Sequence, residues 1–340
     1  MATYILRRLL LMIPTILGCT LIVFLIIQKT PGGPLEQIMQ RYQQLGGGEM
    51  AASGGSEISS SIPEEALAEL EKYFNLDKPL FIRYLDWLGK VMTGDFGQSY
   101  VFSEPVLGVI VERMPVSMYF GLIGFFLSYL VCIPLGIYKA IKNGSTFDIL
   151  SSAIVFMGYA VPGWALGVLL KQQLGLKLDL FPLSGFHSDN FADLSFGEKV
   201  VDQINHTVMP VFCYMVGSFA VLTVLMKNSL LENLGQDYVR TAFAKGLSEK
   251  RAIFTHAVRN SLIPIITGLS GILGVFFAGS FLIERVFNIN GIGMLGFTSV
   301  IERDYTVVMG MLVISVFVLL FGNLLRDILY AFADPRIRLS

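Results

Sequence analysis

Between two uncharged apolar runs lies the polar segment KNSLLENLGQDYVRTAFAKGLSEKRAIFTHAVRNSLIP, residues Lys227–Pro264. Its charged side chains are six cations and three anions: Lys227, Arg240, Lys245, Lys250, Arg251, Arg259, Glu232, Asp237 and Glu249. An excess of Lys and Arg in a short segment between two membrane spans is typical of the cytoplasmic side. The segment is therefore predicted to be a cytoplasmic loop.

The same loop is predicted to contain two helices separated by a glycine. Asp237 can cap a first helix over residues 238–245, and Gly246 can end it. Ser248 and Glu249 then begin a second helix that runs toward Leu262. A helix–Gly–helix element below a membrane domain has a suitable shape for docking a partner.

The composition of the chain indicates a membrane protein. Of its 340 residues 54% are hydrophobic and only 15% are charged, whereas about 25% of residues are charged in a soluble domain. Six uncharged runs approach the ~20 residues that span a bilayer. They lie at 9–27, 116–138, 149–170, 207–226, 262–283 and 307–325. The predicted fold is therefore an all-α polytopic membrane protein with six transmembrane helices.

The charge distribution predicts the orientation of these helices. With the N-terminus inside, the short inner segments hold 13 Lys and Arg residues and the short outer segments hold five. This bias follows the positive-inside rule, so both termini are expected in the cytoplasm. The protein is expected to be a multi-pass component of the bacterial inner (plasma) membrane.

The predicted domain organisation has four parts. Residues 1–29 form the N-terminal tail and first transmembrane helix, and residues 30–112 a partly helical periplasmic segment. That segment contains a flexible Gly/Ser insertion at 46–61 and amphipathic helices at 63–74, 81–92 and 106–113. Residues 113–331 form the main transmembrane domain, which contains the loop 227–261, and residues 332–340 form a cytoplasmic tail.

The sequence contains no evident catalytic or cofactor site. Nothing fits the nucleotide-binding pattern G-x-x-x-x-G-K-[ST], and no metal-ligand spacing is present. Cys19, Cys132 and Cys213 lie in apolar runs and are interpreted as small buried hydrophobes. The predicted spans carry no ionisable residue, unlike most ion-coupled transporters and pumps. The chain is therefore expected not to be an enzyme by itself, and uphill transport would need energy from elsewhere.

The first loop helix carries a family resemblance. The run Arg240-Thr241-Ala242-Phe243-Ala244-Lys245-Gly246 resembles the EAA loop of ATP-binding-cassette (ABC) importer permeases, in the form used by the peptide/nickel class. In that family the helix before the glycine is the coupling helix, which docks on the ATPase subunit. The resemblance implies that the ATPase-coupling residues here are Tyr238, Val239, Arg240, Thr241, Ala242, Phe243, Ala244, Lys245 and Gly246.

Other motifs occur in the order expected of the B-type permease of these systems. They include residues 4–14 (YILRRLLLMIP), 31–34 (PGGP), 94–97 (GDFG), 287–293 (FNINGIG), 303–305 (RDY) and 334–337 (DPRI). The insertion at 46–61 and residues 178–183 (LDLFPL) bring the chain closest to the YejB-type subgroup, which imports oligopeptides including microcin C. The resemblance covers nearly the whole chain and implies the type I importer fold.

The resemblance also implies an assembly. A second homologous permease would complete a heterodimer, one or two ABC ATPase subunits would bind at the cytoplasmic side, and a periplasmic solute-binding protein would deliver a peptide. No cofactor is expected in this chain, because ATP and Mg would be bound by the partner ATPase. Lipid surrounds the spans, and no nucleic acid is expected.

Three interpretations stay open at this point. The importer could carry nickel or another small solute, or the chain could be a stand-alone channel or secondary transporter, or a membrane-anchored scaffold without a pore. The segment 284–306 is semi-apolar but too rich in glycine to span. It is either an interfacial helix with a packing role or part of an outer gate, with candidate residues Phe287, Asn290, Gly291 and Gly293.

Overall fold

The computed structural model describes residues 2–29, 78–269 and 280–333. Across these ranges the regular structure is helical, apart from one isolated β-bridge between Gln98 and Pro105. The α-helices are α1 Ala2–Lys29, α2 Leu80–Met92, α3 Val106–Ile141, α4 Thr146–Ala160, α5 Gly163–Leu170, α6 Phe196–Leu234, α7 Asp237–Ala244, α8 Glu249–Ala252, α9 Arg259–Ser261, α10 Ile263–Leu269, α11 Phe281–Phe287, α12 Ile292–Ile301 and α13 Tyr305–Ala333. The all-α fold class predicted from the sequence is confirmed.

Within the described ranges, four helical segments are long and apolar enough to cross a membrane by themselves. They are Tyr4–Lys29, Val106–Ile141, Phe196–Leu234 and Tyr305–Leu325. They contain four of the predicted spans. A fifth candidate is the bent pair described next, and the predicted fifth span at 262–283 includes residues 270–279, which lie outside the described ranges. The count of six spans stays a prediction.

The predicted span at 149–170 is not one continuous helix. Its two arms, Thr146–Ala160 and Gly163–Lys177, are bent by 95° relative to each other. Val161 and Pro162 are extended at the break, with ψ values of 120° and 134°. Proline lacks the N–H of a helical hydrogen bond and disfavours the α conformation in the preceding residue, which explains why the helix stops there. Beyond α5 the second arm continues as a π-helical segment, Lys171–Lys177.

One other boundary differs from the sequence interpretation. Residues 106–113, predicted as a separate amphipathic helix, are the first two turns of α3. Pro115 does not stop this helix, because it lies inside a much longer apolar segment whose packing outweighs the local preference. The predicted helix at 81–92 is confirmed as α2. The insertion at 46–61, the helix at 63–74 and residues 334–340 of the tail lie outside the described residues.

The contacts divide the chain into two units, and one of them contains residues 113–295. In this unit small residues allow helices to approach closely, as expected between membrane helices. A Cβ on Gly136 of α3 would lie 2.6 Å from the Cβ of Met226 on α6, and one on Gly163 would lie 2.6 Å from the carbonyl oxygen of Cys213. Cys132 and Cys213 are buried, as predicted, whereas Cys19 of the other unit is partly exposed.

The other unit contains residues 2–112 and 296–317. In it Tyr84 of α2 packs edge-on against Phe24 of α1 and shares a hydrogen bond of 2.9 Å with the hydroxyl of Thr20. The buried carboxylate of Asp304 accepts hydrogen bonds from Ser99 Oγ and from the Val101 N–H. Asp304 belongs to the RDY motif at 303–305, and Ser99 and Val101 follow the GDFG motif at 94–97. These hydrogen bonds therefore join the two regions.

Candidate functional site

The first loop helix, α7, ends in the way its sequence predicts. Gly246 has φ +82°, a left-handed conformation that glycine adopts without strain. The Gly246 N–H donates to the Phe243 carbonyl at 2.9 Å, and the Leu247 N–H donates to the Ala242 carbonyl at 3.3 Å. These two bonds form a Schellman motif, which satisfies the last carbonyls of the helix. The other end differs by one residue: Gln236 is the N-cap, and Asp237 lies in the first turn without capping it.

One side of α7 is held against the protein's own core. Val239 is fully buried and Ala242, three residues on, is 5% exposed. Val239 belongs to a hydrophobic cluster that includes Tyr129 and Ala140 of α3, Met226 and Leu230 of α6, and Ile253 of the second loop helix. The resemblance implied that Val239 is one of the ATPase-coupling residues. In the structure its side chain is buried in this cluster of the chain itself.

The opposite side of α7 is open to solvent. Phe243 is 43% exposed and Tyr238 is 38% exposed, and Arg240, Thr241, Ala244 and Lys245 are exposed as well. Arg240 lies 3.7 Å from Asp237, but both side chains are largely in solvent, where such a pair contributes little. This surface, which we call the α7 face, therefore presents two aromatic rings and two cations to the surroundings.

The second loop helix is also fixed to α6. It begins after Ser248, as predicted, and runs through α8, the π-helical segment Ile253–Val258 and α9. Ser229 Oγ donates to the Ser261 carbonyl at 3.0 Å, and Ser261 Oγ donates to the Ser229 carbonyl at 3.3 Å. These reciprocal bonds and the cluster around Val239 join both loop helices to the end of α6.

Near the candidate outer-gate residues lies a buried carboxylate that the sequence interpretation overlooked. Glu284 of α11 is fully buried. Its carboxylate accepts hydrogen bonds from Ser117 Oγ at 2.8 Å and from the Met294 N–H at 2.7 Å. Burial raises the pKa of Glu284 above its ordinary value, and these hydrogen bonds oppose the shift. The carboxylate therefore links α3, α11 and the start of α12.

The four gate candidates lie in this region, and the Gly293 N–H donates a hydrogen bond to the Glu284 carboxylate. Phe287 is 2% exposed and lies in a cluster with Phe120 and Met209. Asn290 Oδ1 accepts a hydrogen bond from Arg113 Nε at 3.1 Å. A Cβ on Gly291 would lie 2.4 Å from Ser117 Oγ, so only glycine fits there. A Cβ on Gly291 would also lie 2.7 Å from the Glu284 carboxylate, so this glycine lies directly against the buried acid.

Across the described ranges no group of three His, Cys, Asp or Glu side chains is placed to hold a metal ion. The cytoplasmic loop has one exposed surface, the α7 face, and one side that is buried in the core cluster of this chain.

Comparison with known proteins identifies the family. The model of the family "Binding-protein-dependent transport system inner membrane component" matches residues 132–339. The chain is 41% identical to the peptidoglycan transport system permease protein YejB of Agrobacterium fabrum, over 99% of this chain and 98% of that protein. It is 39% identical to the inner membrane ABC transporter permease protein YejB of Escherichia coli O157:H7, with 99% of each chain covered. It is 36% identical to the oligopeptide transport system permease protein AppB of Bacillus subtilis, again over 99% of each.

The three relatives match this chain over 99% of its length. The resemblance to the peptide class of ABC importer permeases is thereby confirmed. This chain therefore belongs to the family of binding-protein-dependent transport system inner membrane components.

Proposed function

We propose that this chain is the permease subunit of an ATP-driven importer of oligopeptides, in which it forms half of the translocation path. The observation that carries this proposal is the α7 face: an exposed phenylalanine and two exposed cations on a helix whose other side is buried among α3 and α6. Relatives named for peptidoglycan, oligopeptide and dipeptide transport support a peptide as the cargo.

The partners follow from this assignment. An ABC ATPase subunit would receive the α7 face in a groove at the cytoplasmic side and would bind ATP and Mg. A second, homologous permease would supply the other half of the path, and a periplasmic binding protein would deliver the peptide. Both termini of this chain would be cytoplasmic, in a multi-pass protein of the inner membrane.

The mechanism we propose is alternating access. When ATP closes the ATPase pair, α7 moves with the surface on which it is docked. Because Val239 packs with side chains of α3 and α6, that movement is transferred to the membrane helices. ATP hydrolysis and product release then return the permease to its inward-facing state. In this mechanism Phe243 fills an apolar pocket of the ATPase, and Arg240 and Lys245 meet carboxylates at the rim of the groove.

The alternative functions require different features of the chain. An importer of nickel would use the same coupling, but imidazole is a ligand that suits Ni²⁺, and the predicted spans contain no His. A stand-alone channel or secondary transporter would need neither the α7 face nor ATP. A scaffold without a pore would bind the ATPase but would not affect uptake.

Reconstitution distinguishes these classes. The chain, its second permease, the ATPase and the binding protein are placed in proteoliposomes with tryptic casein peptides outside and ATP inside. We expect peptide uptake only when all components and ATP are present. Uptake by this chain alone would refute the proposal in favour of a channel, and uptake of Ni²⁺ without peptide uptake would favour the nickel importer.

A further inference from the structure

Two lysines and one aspartate from three different helices meet at one buried point. Lys139 of α3 lies 3.1 Å from the Asp148 carboxylate of α4, and Lys227 of α6 lies 2.7 Å from it. The side chains are 1%, 7% and 17% exposed for Lys139, Asp148 and Lys227. The sequence interpretation counted both lysines only as cytoplasmic charges that orient the helices.

The two lysines are bound in different ways. Lys139 Nζ also donates to the Asp148 carbonyl at 2.9 Å, to Ser151 Oγ at 2.7 Å and to Ser152 Oγ at 2.8 Å. Its ammonium group therefore has partners on α4 whether or not Lys227 is present. Lys227 Nζ contacts both carboxylate oxygens, at 2.8 and 2.7 Å, and so forms a direct bridge from α6 to the start of α4.

The end of α6 that carries Lys227 is also where the cytoplasmic loop is attached. Met226 and Leu230 pack in the cluster that contains Val239 of α7. Ser229 exchanges hydrogen bonds with Ser261 of the second loop helix. A displacement of the loop must therefore displace this end of α6, and Lys227 lies between Met226 and Ser229.

On the other side of the bridge, Asp148 begins the span that is broken at Pro162. It lies in the first turn of α4, and Ser145 caps that helix by accepting a hydrogen bond from the Asp148 N–H. The second arm, α5, packs against α6 through Gly163 and Gly167, near Cys213. A span made of two arms can change its bend without unfolding, provided that something holds the end of the first arm.

We propose that the Lys227–Asp148 ion pair is the joint that transmits movement of the cytoplasmic loop to the two-armed span α4–α5. This inference rests on the proposed function, because it assumes that an ATPase moves α7. Lys227 and Asp148 act as positioning residues and need not touch peptide or nucleotide. A buried ion pair is a poor source of stability, because desolvation offsets the attraction of its charges. Its directional contacts are well suited to fixing one helix relative to another.

Three variants distinguish transmission of movement through the ion pair from an effect of the net charge of the cluster. Lys227→Met removes the bridge and leaves Asp148 paired with Lys139, so the cluster becomes neutral. Asp148→Asn together with Lys227→Met also removes the bridge but keeps the net charge of the unmodified cluster. Lys227→Arg keeps a bidentate cation and is the conservative control. The exposed pair Lys78–Asp86 provides a matched control in Asp86→Asn.

Each variant is assembled with the ATPase, the second permease and the binding protein in proteoliposomes. Co-purification of the ATPase, basal ATP hydrolysis and hydrolysis stimulated by the binding protein with tryptic casein peptides are measured. For Lys227→Met we expect normal co-purification and basal hydrolysis, but stimulation reduced by about fivefold or more, the lower end of typical coupling factors. The double variant should be equally reduced, whereas Lys227→Arg and Asp86→Asn should retain stimulation.

The possible results have distinct meanings. Full stimulation of Lys227→Met, or recovery of stimulation in the double variant, would overturn the inference, since the bridge is absent from both. If the unmodified chain fails to bind the ATPase or shows no stimulation, the proposed function itself is refuted. The two failures are therefore distinguishable in one set of measurements.

Discussion

Replacing Phe243 by alanine tests whether the α7 face is the docking surface. The ring is 43% exposed, and a phenylalanine presents about 200 Å² of surface when fully exposed, so about 85 Å² is available to a partner. At about 25 cal/mol per Å², covering that area contributes about 2 kcal/mol to binding. Loss of the ring should therefore weaken binding of the ATPase by about 30-fold.

Val239 provides the contrasting variant on the other side of the same helix. It is fully buried in the chain's own core. Val239→Ala removes two methyl groups from that core and should lower the free energy of unfolding by about 2 kcal/mol. Its direct effect on the docking surface should be small, because the side chain does not reach that surface.

The assay measures two quantities for each variant in detergent or nanodiscs. Titration with the purified ATPase gives the dissociation constant, and thermal unfolding gives the midpoint temperature. Phe243→Ala should weaken binding and leave the midpoint unchanged, whereas Val239→Ala should lower the midpoint. Phe196→Ala is the matched control, because Phe196 is an exposed aromatic outside the loop. The docking model fails if Phe243→Ala binds the ATPase as tightly as the unmodified chain.

Three further outcomes are expected. Gly246→Val places a β-branched residue at φ +82° and should destabilise the end of α7 by about 1–2 kcal/mol, seen as reduced stimulation of the ATPase with the chain still inserted. Gly291→Ala should lower the thermal midpoint, because its Cβ would lie 2.4 Å from Ser117 Oγ. Gly197→Ala is the control and should leave the midpoint unchanged, because a Cβ there would lie in open space. Equal midpoints for the two variants would contradict the packing around Gly291. Topology reporters fused near Ser248 and Ser56 should read cytoplasmic and external, and the reverse pattern would refute the orientation.

Features that depend on neighbouring residues in the chain were predictable from the sequence. Gly246 was predicted to end a helix and does so, because a left-handed residue after a helix needs no partner elsewhere in the fold. Ser248 begins the next helix for a similarly local reason. The spans at 116–138, 207–226 and 307–325 lie inside observed helices because their length and lack of charge are sufficient.

Features that depend on distant contacts were missed. An eight-residue helix such as α7 has too few turns for its sequence to indicate which side is buried. The burial of Val239 depends on the cluster that includes residues of α3 and α6, which are distant from it in the sequence. Asp148 and Glu284 follow or precede apolar runs, and the sequence gives no sign that lysines or hydroxyls from other helices surround them. Pro162 is a local signal for a break in the helix, but the uncharged run around it is long enough to span a bilayer, which favoured one continuous helix.

The close contact between Gly136 of α3 and Met226 of α6 also constrains how this protein can evolve. Because a Cβ at position 136 would overlap the Met226 side chain, a larger residue there is tolerated only if position 226 becomes smaller in the same lineage. Yet Met226 also supports Val239 in the core cluster, so shrinking it would loosen the cytoplasmic loop. The two positions are thus expected to covary, and both are expected to drift more slowly than lipid-facing sites on the same helices.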